Sequence, residues 1–205
     1  MARNLTPRGK IVRRLGINIF ESPKYDRILE KRPYAPGEHG KGRRTKVSNY
    51  GIQLQEKQKV KKMYGILEKQ FRRYFREAER AKGVTGTILL QKLERRLDNV
   101  VFRSCLAETR NAARQLVRHG HIIVNGRKTD LPSFSVSQND TIEVRNKESI
   151  VKKVKEAVKK LEGRQIPSWL EVKRDKLEVQ VKTLPERSDI QIPIKEQLII
   201  ELYSK

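Results

Sequence analysis

The chain has 205 residues, with 47 Lys and Arg against 24 Asp and Glu, a formal net charge of +23 and a pI near 10.3. Such a surplus of one sign repels itself in an isolated compact chain and implies a polyanionic partner. The apolar runs span only a few residues, as in Leu198-Ile199-Ile200, against the roughly 18 a bilayer requires. There is no large apolar face for membrane-surface docking and no secretory h-region, so a cytosolic chain without a membrane partner is the expectation. Cys105 is the only cysteine, and His39, His119 and His121 lack accompanying carboxylate clusters, so neither a disulfide, a metal nor a cofactor is expected.

Residues 1–80 carry 22 basic and 8 acidic residues (+14), residues 81–145 carry 11 and 6 (+5), and residues 146–205 carry 14 and 10 (+4). Residues 1–47 hold Pro7, Pro23, Pro33 and Pro36 with five glycines and show little apolar periodicity. This composition predicts a basic, partly irregular and extended segment that orders on a partner. From Ser48 to about Ala81 the recurrence of Val60, Met63, Ile66, Leu67, Phe71, Tyr74 and Phe75 predicts two helices divided near Gly65. Leu90, Leu93, Leu97, Val100 and Val101 predict one helix capped at Thr87, with Arg95, Arg96 and Arg103 largely off its apolar stripe.

A second, shorter helix opens at Thr109, buries Ala113, Leu116 and Val117, and stops at Gly120. Ile122-Ile123-Val124, then Asn125-Gly126, predict a type I′ hairpin returning through Arg127-Lys128. A turn at Gln138-Asn139-Asp140 precedes a half-buried strand over 141–145. Ser149 is placed as the cap of a further amphipathic helix that ends before Gly163. Leu170–Val172 and Leu177–Val181 read as short strands, while Leu198–Tyr203 fits strand or helix. The expected class is α+β: a basic extended segment over 1–47, a helical domain over 48–93, and an inserted helix–helix–β-hairpin module over 94–146, extending on a wider reading to about 160. Residues 147–205 form a C-terminal helix and short strands returning to the first domain.

The sharpest chemical pattern is Arg110, Arg114 and Arg118, four apart on the helix capped by Thr109. One turn, about 5.4 Å, separates neighbours, and planar donors at that interval can bridge successive phosphates, with the helix N-terminus offering further N–H groups. A solvated charged face is the competing reading. It loses ground because Glu108 is the only acidic residue between Cys105 and His121. Arg127 and Lys128 of the hairpin join this set. Upstream, Arg72, Arg73 and Arg76 recur around Phe71, with Lys57, Lys59 and Lys62 before them. The N-terminal segment supplies Arg3, Arg13, Arg14, Arg43, Arg44 and Lys46. Tyr50, Tyr64 and Tyr74 fall at helical spacing, where aromatics are more often core than base-stacking platforms; of these Tyr50 is kept as a candidate RNA contact.

Enzyme signals are weak. Gly37-Glu38-His39-Gly40-Lys41-Gly42 neither follows a strand nor matches a phosphate-binding fingerprint. Arg96-Leu97-Asp98 looks like the active-site tripeptide of pseudouridine synthases, whose aspartate is the nucleophile. There, however, a catalytic domain follows the RNA-binding module, whereas here the tripeptide lies inside it, so Asp98 is read as a helix-surface or capping carboxylate. A free-standing RNA chaperone or repressor is the third class of reading.

Residues 95–145, from Arg95-Arg96-Leu97-Asp98-Asn99-Val100-Val101 through Thr109-Arg110, Ala113-Arg114-Gln115-Leu116-Val117 and Val124-Asn125-Gly126, resemble the small RNA-binding module shared by ribosomal small-subunit protein four, some pseudouridine synthases and tyrosyl-tRNA synthetases. Outside the module, Ala35-Pro36-Gly37-Glu38-His39-Gly40, the run from Tyr50 to Val60, Trp169-Leu170, Pro185-Glu186-Arg187-Ser188-Asp189 and the ending Glu201-Leu202-Tyr203-Ser204-Lys205 resemble the bacterial protein-four family specifically. The resemblance implies a primary binder of 16S rRNA at a junction in the 5′ domain that nucleates assembly of the 30S body. It also implies contact with small-subunit protein five, a place near where mRNA enters, and, with proteins five and twelve, an influence on translational accuracy. Some relatives repress their own mRNA. Members that fold the N-terminal segment around zinc do so with four cysteines; this sequence has none there, and zinc is not carried over.

Overall fold

The structure, a computed structural model, describes residues 6–42, 46–190 and 192–204. The chain divides into two compact units, residues 1–86 with 192–205, and residues 87–191. It is α+β: the described residues form nine α-helices and one five-stranded sheet.

In the first unit, α1 (Arg8–Leu15) and α2 (Pro23–Lys31) precede a 3₁₀ turn at Glu38–Lys41, then α3 (Asn49–Met63) and α4 (Glu68–Glu79). The two N-terminal helices correct the expectation of an extended segment. Pro23 starts α2 with its φ already helical, and Ile11, Val12 and Ile19 are buried. Arg13 stacks over the Tyr34 ring at 4.9 Å and donates from Nε to the Tyr34 carbonyl (3.0 Å) and from Nη2 to that of Ala35 (3.1 Å). These anchors are single residues far apart in sequence, which a periodicity scan does not register. Ser48 caps α3, its Oγ accepting from the Gly51 N–H, and the chain turns at Gly65 before α4.

The last element, α9 (Glu196–Tyr203), resolves the strand-or-helix alternative in favour of helix and packs along α3. Gln53 Nε2 donates to Glu201 Oε2 (2.9 Å), the Lys195 N–H donates to Glu56 Oε1 (2.8 Å), and Tyr203 stacks on Phe75 with ring centroids 4.5 Å apart.

The second unit begins within α5 (Thr85–Glu94) and continues through α6 (Leu97–Arg103), α7 (Arg110–Arg118), β1 (Ile122–Val124), β2 (Arg127–Thr129), β3 (Thr141–Val144), α8 (Glu148–Lys160), β4 (Leu170–Lys173) and β5 (Glu178–Val181). The strands lie antiparallel in the order β2-β1-β3-β5-β4. Asn125 and Gly126 both adopt positive φ, 49° and 76°, as a type I′ turn requires. One core joins Leu97, Val101, Phe102, Val117, Ile122, Ile142, Trp169 and Val179.

Three expectations change here. The single helix through Val101 is two, because the chain over 134–136 pairs with its middle: the Val136 N–H donates to the Arg95 carbonyl (2.9 Å) and the Leu97 N–H to that of Phe134 (2.9 Å). Ser149 lies inside α8, whose N-cap is Lys147. The boundary at 146, or about 160, moves to 191, because β5 pairs with β3 through Ile142 and Val179 and so brings β4, β5 and Trp169 into the module's sheet and core. Only residues 192–204 return to the first unit.

Candidate nucleic-acid interface

Helix α7 is built to present one face. Thr109 Oγ1 accepts from the Ala112 N–H (3.2 Å), fixing the start, while Ala113 and Val117 are fully buried beneath it. On the other side Arg110 and Arg114 are half-buried and Arg118 is exposed. Arg110 lies over the Phe102 ring at 4.2 Å and donates from Nε to Asn99 Oδ1 (3.0 Å). Arg114 Nη1 lies 3.6 Å from Asp98 Oδ2, and Arg118 Nη1 lies 3.8 Å from Asp130 Oδ2. Acidic partners, scarce within the helix, therefore arrive from α6 and from the residue after β2. Such contacts restrict the planar guanidinium groups to few rotamers, so less entropy is lost when an anion docks.

Asp98 is not the surface or capping carboxylate expected. It is 5% exposed, and Arg96, 3% exposed, grips both its oxygens, with Nε–Oδ1 at 3.1 Å and Nη2–Oδ2 at 2.7 Å. Arg103 is likewise buried, paired with Glu94 at 3.0 Å, and Glu94 also accepts from Asn99 Nδ2 at 2.7 Å. Arg96 and Arg103 thus leave the solvent face assigned to them. A carboxylate enclosed by two arginines has no open approach for a nucleophilic role.

The hairpin places Arg127 and Lys128 in the open, the Lys128 chain crossing over Gly120 just past the end of α7. Gly120, at φ 68°, has a left-handed backbone that favours glycine, and the far end of the flexible Lys128 side chain lies over it.

In the first unit the candidates separate. Lys57 and Lys59 are buried in internal ion pairs: Lys57 with Glu68 (2.7 Å) ties α3 to α4, and Lys59 pairs with Glu56 (2.6 Å) within α3, so neither faces a ligand. Arg13 is committed to the loop at Tyr34. By contrast Arg14 is exposed, and burial, together with the Arg14 and Lys61 charges, lowers the pKa of Lys62. This like-charge pair suits an anion. Arg72 and Arg76 are exposed, and Arg73 pairs loosely with Glu77 at 3.3 Å. Lys46 is exposed, and Tyr50 is 58% exposed, whereas Tyr64 and Tyr74 are core. Arg3, Arg43 and Arg44 lie outside the described residues.

Sequence reasoning passed over Arg164, whose guanidinium lies 4.0 Å from the Phe102 centroid, so that one buried ring carries two arginines. It also passed over Arg145 and Lys147, whose backbone runs beside His121. The spacing His119-Gly120-His121, straddling a helix stop, was the available signal for the latter.

Among the described residues no group of His, Cys, Asp and Glu is arranged to hold a metal ion, and no helix is long and apolar enough to cross a membrane. Residues 3–94 match the family described as the ribosomal protein S4/S9 N-terminal domain, and residues 95–142 match the S4 domain. The chain is 53% identical over 211 residues to small ribosomal subunit protein uS4 of Trichlorobacter lovleyi, covering 100% of both chains. It is 52% identical over 196 residues to the uS4 of Chlorobium luteolum, covering 96% of each. With that of Borrelia duttonii it shares 50% over 206 residues, covering 100% of this chain and 99% of the relative. Two adjoining family matches and identity of about half along the whole length carry the same assignment: the chain belongs to the small ribosomal subunit protein uS4 family.

Proposed function

We propose that the chain is a structural constituent of the small ribosomal subunit in the cytoplasm, holding 16S rRNA by phosphate and shape contacts. The family is structural and non-enzymatic. The observation that carries the RNA reading is the α7 face, where Arg110, Arg114 and Arg118 stand in a row over a buried side, with Arg127 and Lys128 beyond the helix end. A-form grooves hide base edges, so a row of guanidinium groups reads phosphate spacing rather than sequence.

The finer assignment is a primary binder at the 5′-domain junction that nucleates assembly of the body. Its support is the whole-chain resemblance and the concentration of charge in the first 80 residues, where Arg14, Lys62, Arg72 and Arg76 remain available. Contact with small-subunit protein five, near where mRNA enters and with an effect on accuracy shared with protein twelve, belongs to the same reading.

Affinity for a 16S 5′-domain transcript should fall linearly in log salt, with a slope near −0.9 per phosphate neutralised on duplex and somewhat less on single strands. Arg118→Ala and Arg127→Ala should each weaken binding and flatten the slope by about one, because neither residue supports the fold. A flat salt response in the wild type, or slopes unchanged in both variants, would reject phosphate contact at the α7 face. Co-sedimentation with small subunits through a moderate salt wash separates a resident protein from a passing chaperone.

A further inference from the structure

Helix α7 ends in a corner that the arginine row does not explain. His119 caps the helix, Gly120 reverses the chain, and His121 leads into β1; the two imidazoles stack with centroids 5.9 Å apart and planes 27° from parallel. The ladder between β1 and β3 runs one step past its strands, the Arg145 N–H donating to the His121 carbonyl (2.8 Å), and the Lys147 N–H in turn donates to the Arg145 carbonyl (2.8 Å). Lys128 reaches the same place across Gly120.

Lys128, Arg145 and Lys147 are all exposed, and among the described residues none forms an ion pair. Burial, followed by the charges of His119, Lys147, Arg145 and Lys128, holds the His121 pKa below its ordinary value, and His121 Nδ1 is buried without a hydrogen-bond partner. The groove between α7 and α8, which both histidines line, adds Lys153 and Glu156, while Glu108 is taken by Lys160 at 2.9 Å. Cations thus outnumber carboxylates around a half-buried imidazole, a situation relieved by a docked anion.

We propose that this corner is a second RNA-phosphate site of the module, at which His121 takes up a proton as the phosphate docks. The proposal rests on the reading of the chain as an rRNA binder and adds a site that shares only Lys128 with the arginine face. Its linkage has a definite sign. A phosphate beside His121 favours the imidazolium, so the bound state has the higher pKa. The gain in affinity is fully present below the free-state pKa and is lost as pH rises through the bound-state pKa. For one proton the affinity changes by at most about tenfold per pH unit.

The test measures binding of the full chain to a 16S 5′-domain transcript at about pH 6 and about pH 8, at one ionic strength. Wild type should bind roughly five- to tenfold more tightly at the lower pH. His121→Gln should abolish that ratio, and Arg145→Ala with Lys147→Ala should weaken binding and shrink the ratio. Arg118→Ala with Arg127→Ala should weaken binding at both pH values and leave the ratio intact, so loss of rRNA binding and loss of the proton-linked site are read separately. A ratio that persists in folded His121→Gln, or is absent from wild type, overturns the proposal. Should that variant not fold, imidazole NMR of the wild type decides: an unchanged His121 titration on adding the transcript, or one that moves only with an acidic polypeptide such as polyglutamate, is equally fatal.

Discussion

Asp98 shows how one carboxylate can be spent on structure in a chain short of acids. Its two oxygens meet Arg96, and Arg114 reaches it from α7, so a single buried group ties the start of α6 to α7. Removing one partner of a buried pair leaves the other uncompensated, at a cost of roughly 3 kcal/mol. Asp98→Asn should therefore lower the urea midpoint of the second unit, which fluorescence of the single, buried Trp169 reports directly. It should also loosen Arg114 and weaken rRNA binding at low salt. A variant with wild-type stability would show that Arg96 is satisfied by other groups. This residue also marks where sequence reading stops. Lys57, Lys59, Arg96 and Arg103 look like surface cations in any linear pattern, since their carboxylates lie 11, 3, 2 and 9 residues away on no common helical face apart from the Lys59 pair.

At the scale of the element, local signals were legible where the physics is local. Ser48 and Thr109 cap helices through their own hydroxyls, and Asn125-Gly126 makes the turn that its positive-φ tolerance permits. Asn125 also ties the hairpin turn to the start of β3, donating to Asp140 Oδ1 and accepting from the Thr141 N–H, each at 2.8 Å. Elements set by partners distant in sequence were not legible. The break at Arg95–Arg96 depends on residues 134–136, and α1 is anchored by contacts reaching 21 and 22 residues away. Thr109→Ala should destabilise the second unit by about 1 kcal/mol, whereas Thr109→Ser should restore it. Because the cap also orients the first turn bearing Arg110, the Ala variant should lose rRNA affinity that Ser recovers. Equal affinity in both would confine Thr109 to folding.

At the scale of the molecule, a chain of charge +23 must place its few acids where they hold helices together, and Glu68 is the clearest case in the first unit. Its carboxylate accepts from Lys57 and Lys61 at 2.7 Å each and from the Tyr203 hydroxyl at 3.0 Å, linking α3, α4 and α9. Burial works against ionisation there, yet Lys57, Lys61 and Tyr203 overcome it and bring the Glu68 pKa down to about 2. Tyr203 is pushed the other way, by burial first and then by the Glu68 charge and hydrogen bond, so its hydroxyl stays a donor. With a folded pKa below the unfolded value of 4.5, Glu68 adds stability above about pH 4.5 that is lost as pH falls towards about 2. The side chain is 46% exposed, so solvent screens much of that contribution. Protonating it also raises the net positive charge, and the resulting self-repulsion is felt most at low ionic strength. Melting temperature plotted against pH should therefore fall between about pH 4.5 and 2, more steeply in low salt, with early proteolytic release of α9. Glu68→Gln should lower the plateau above pH 4.5 and reduce the fall below it. If the acid limb of Glu68→Gln instead runs parallel to the wild type, the C-terminal helix is held by Phe71, Phe75 and Ile199 alone, and the ion cluster contributes nothing to the docking of α9.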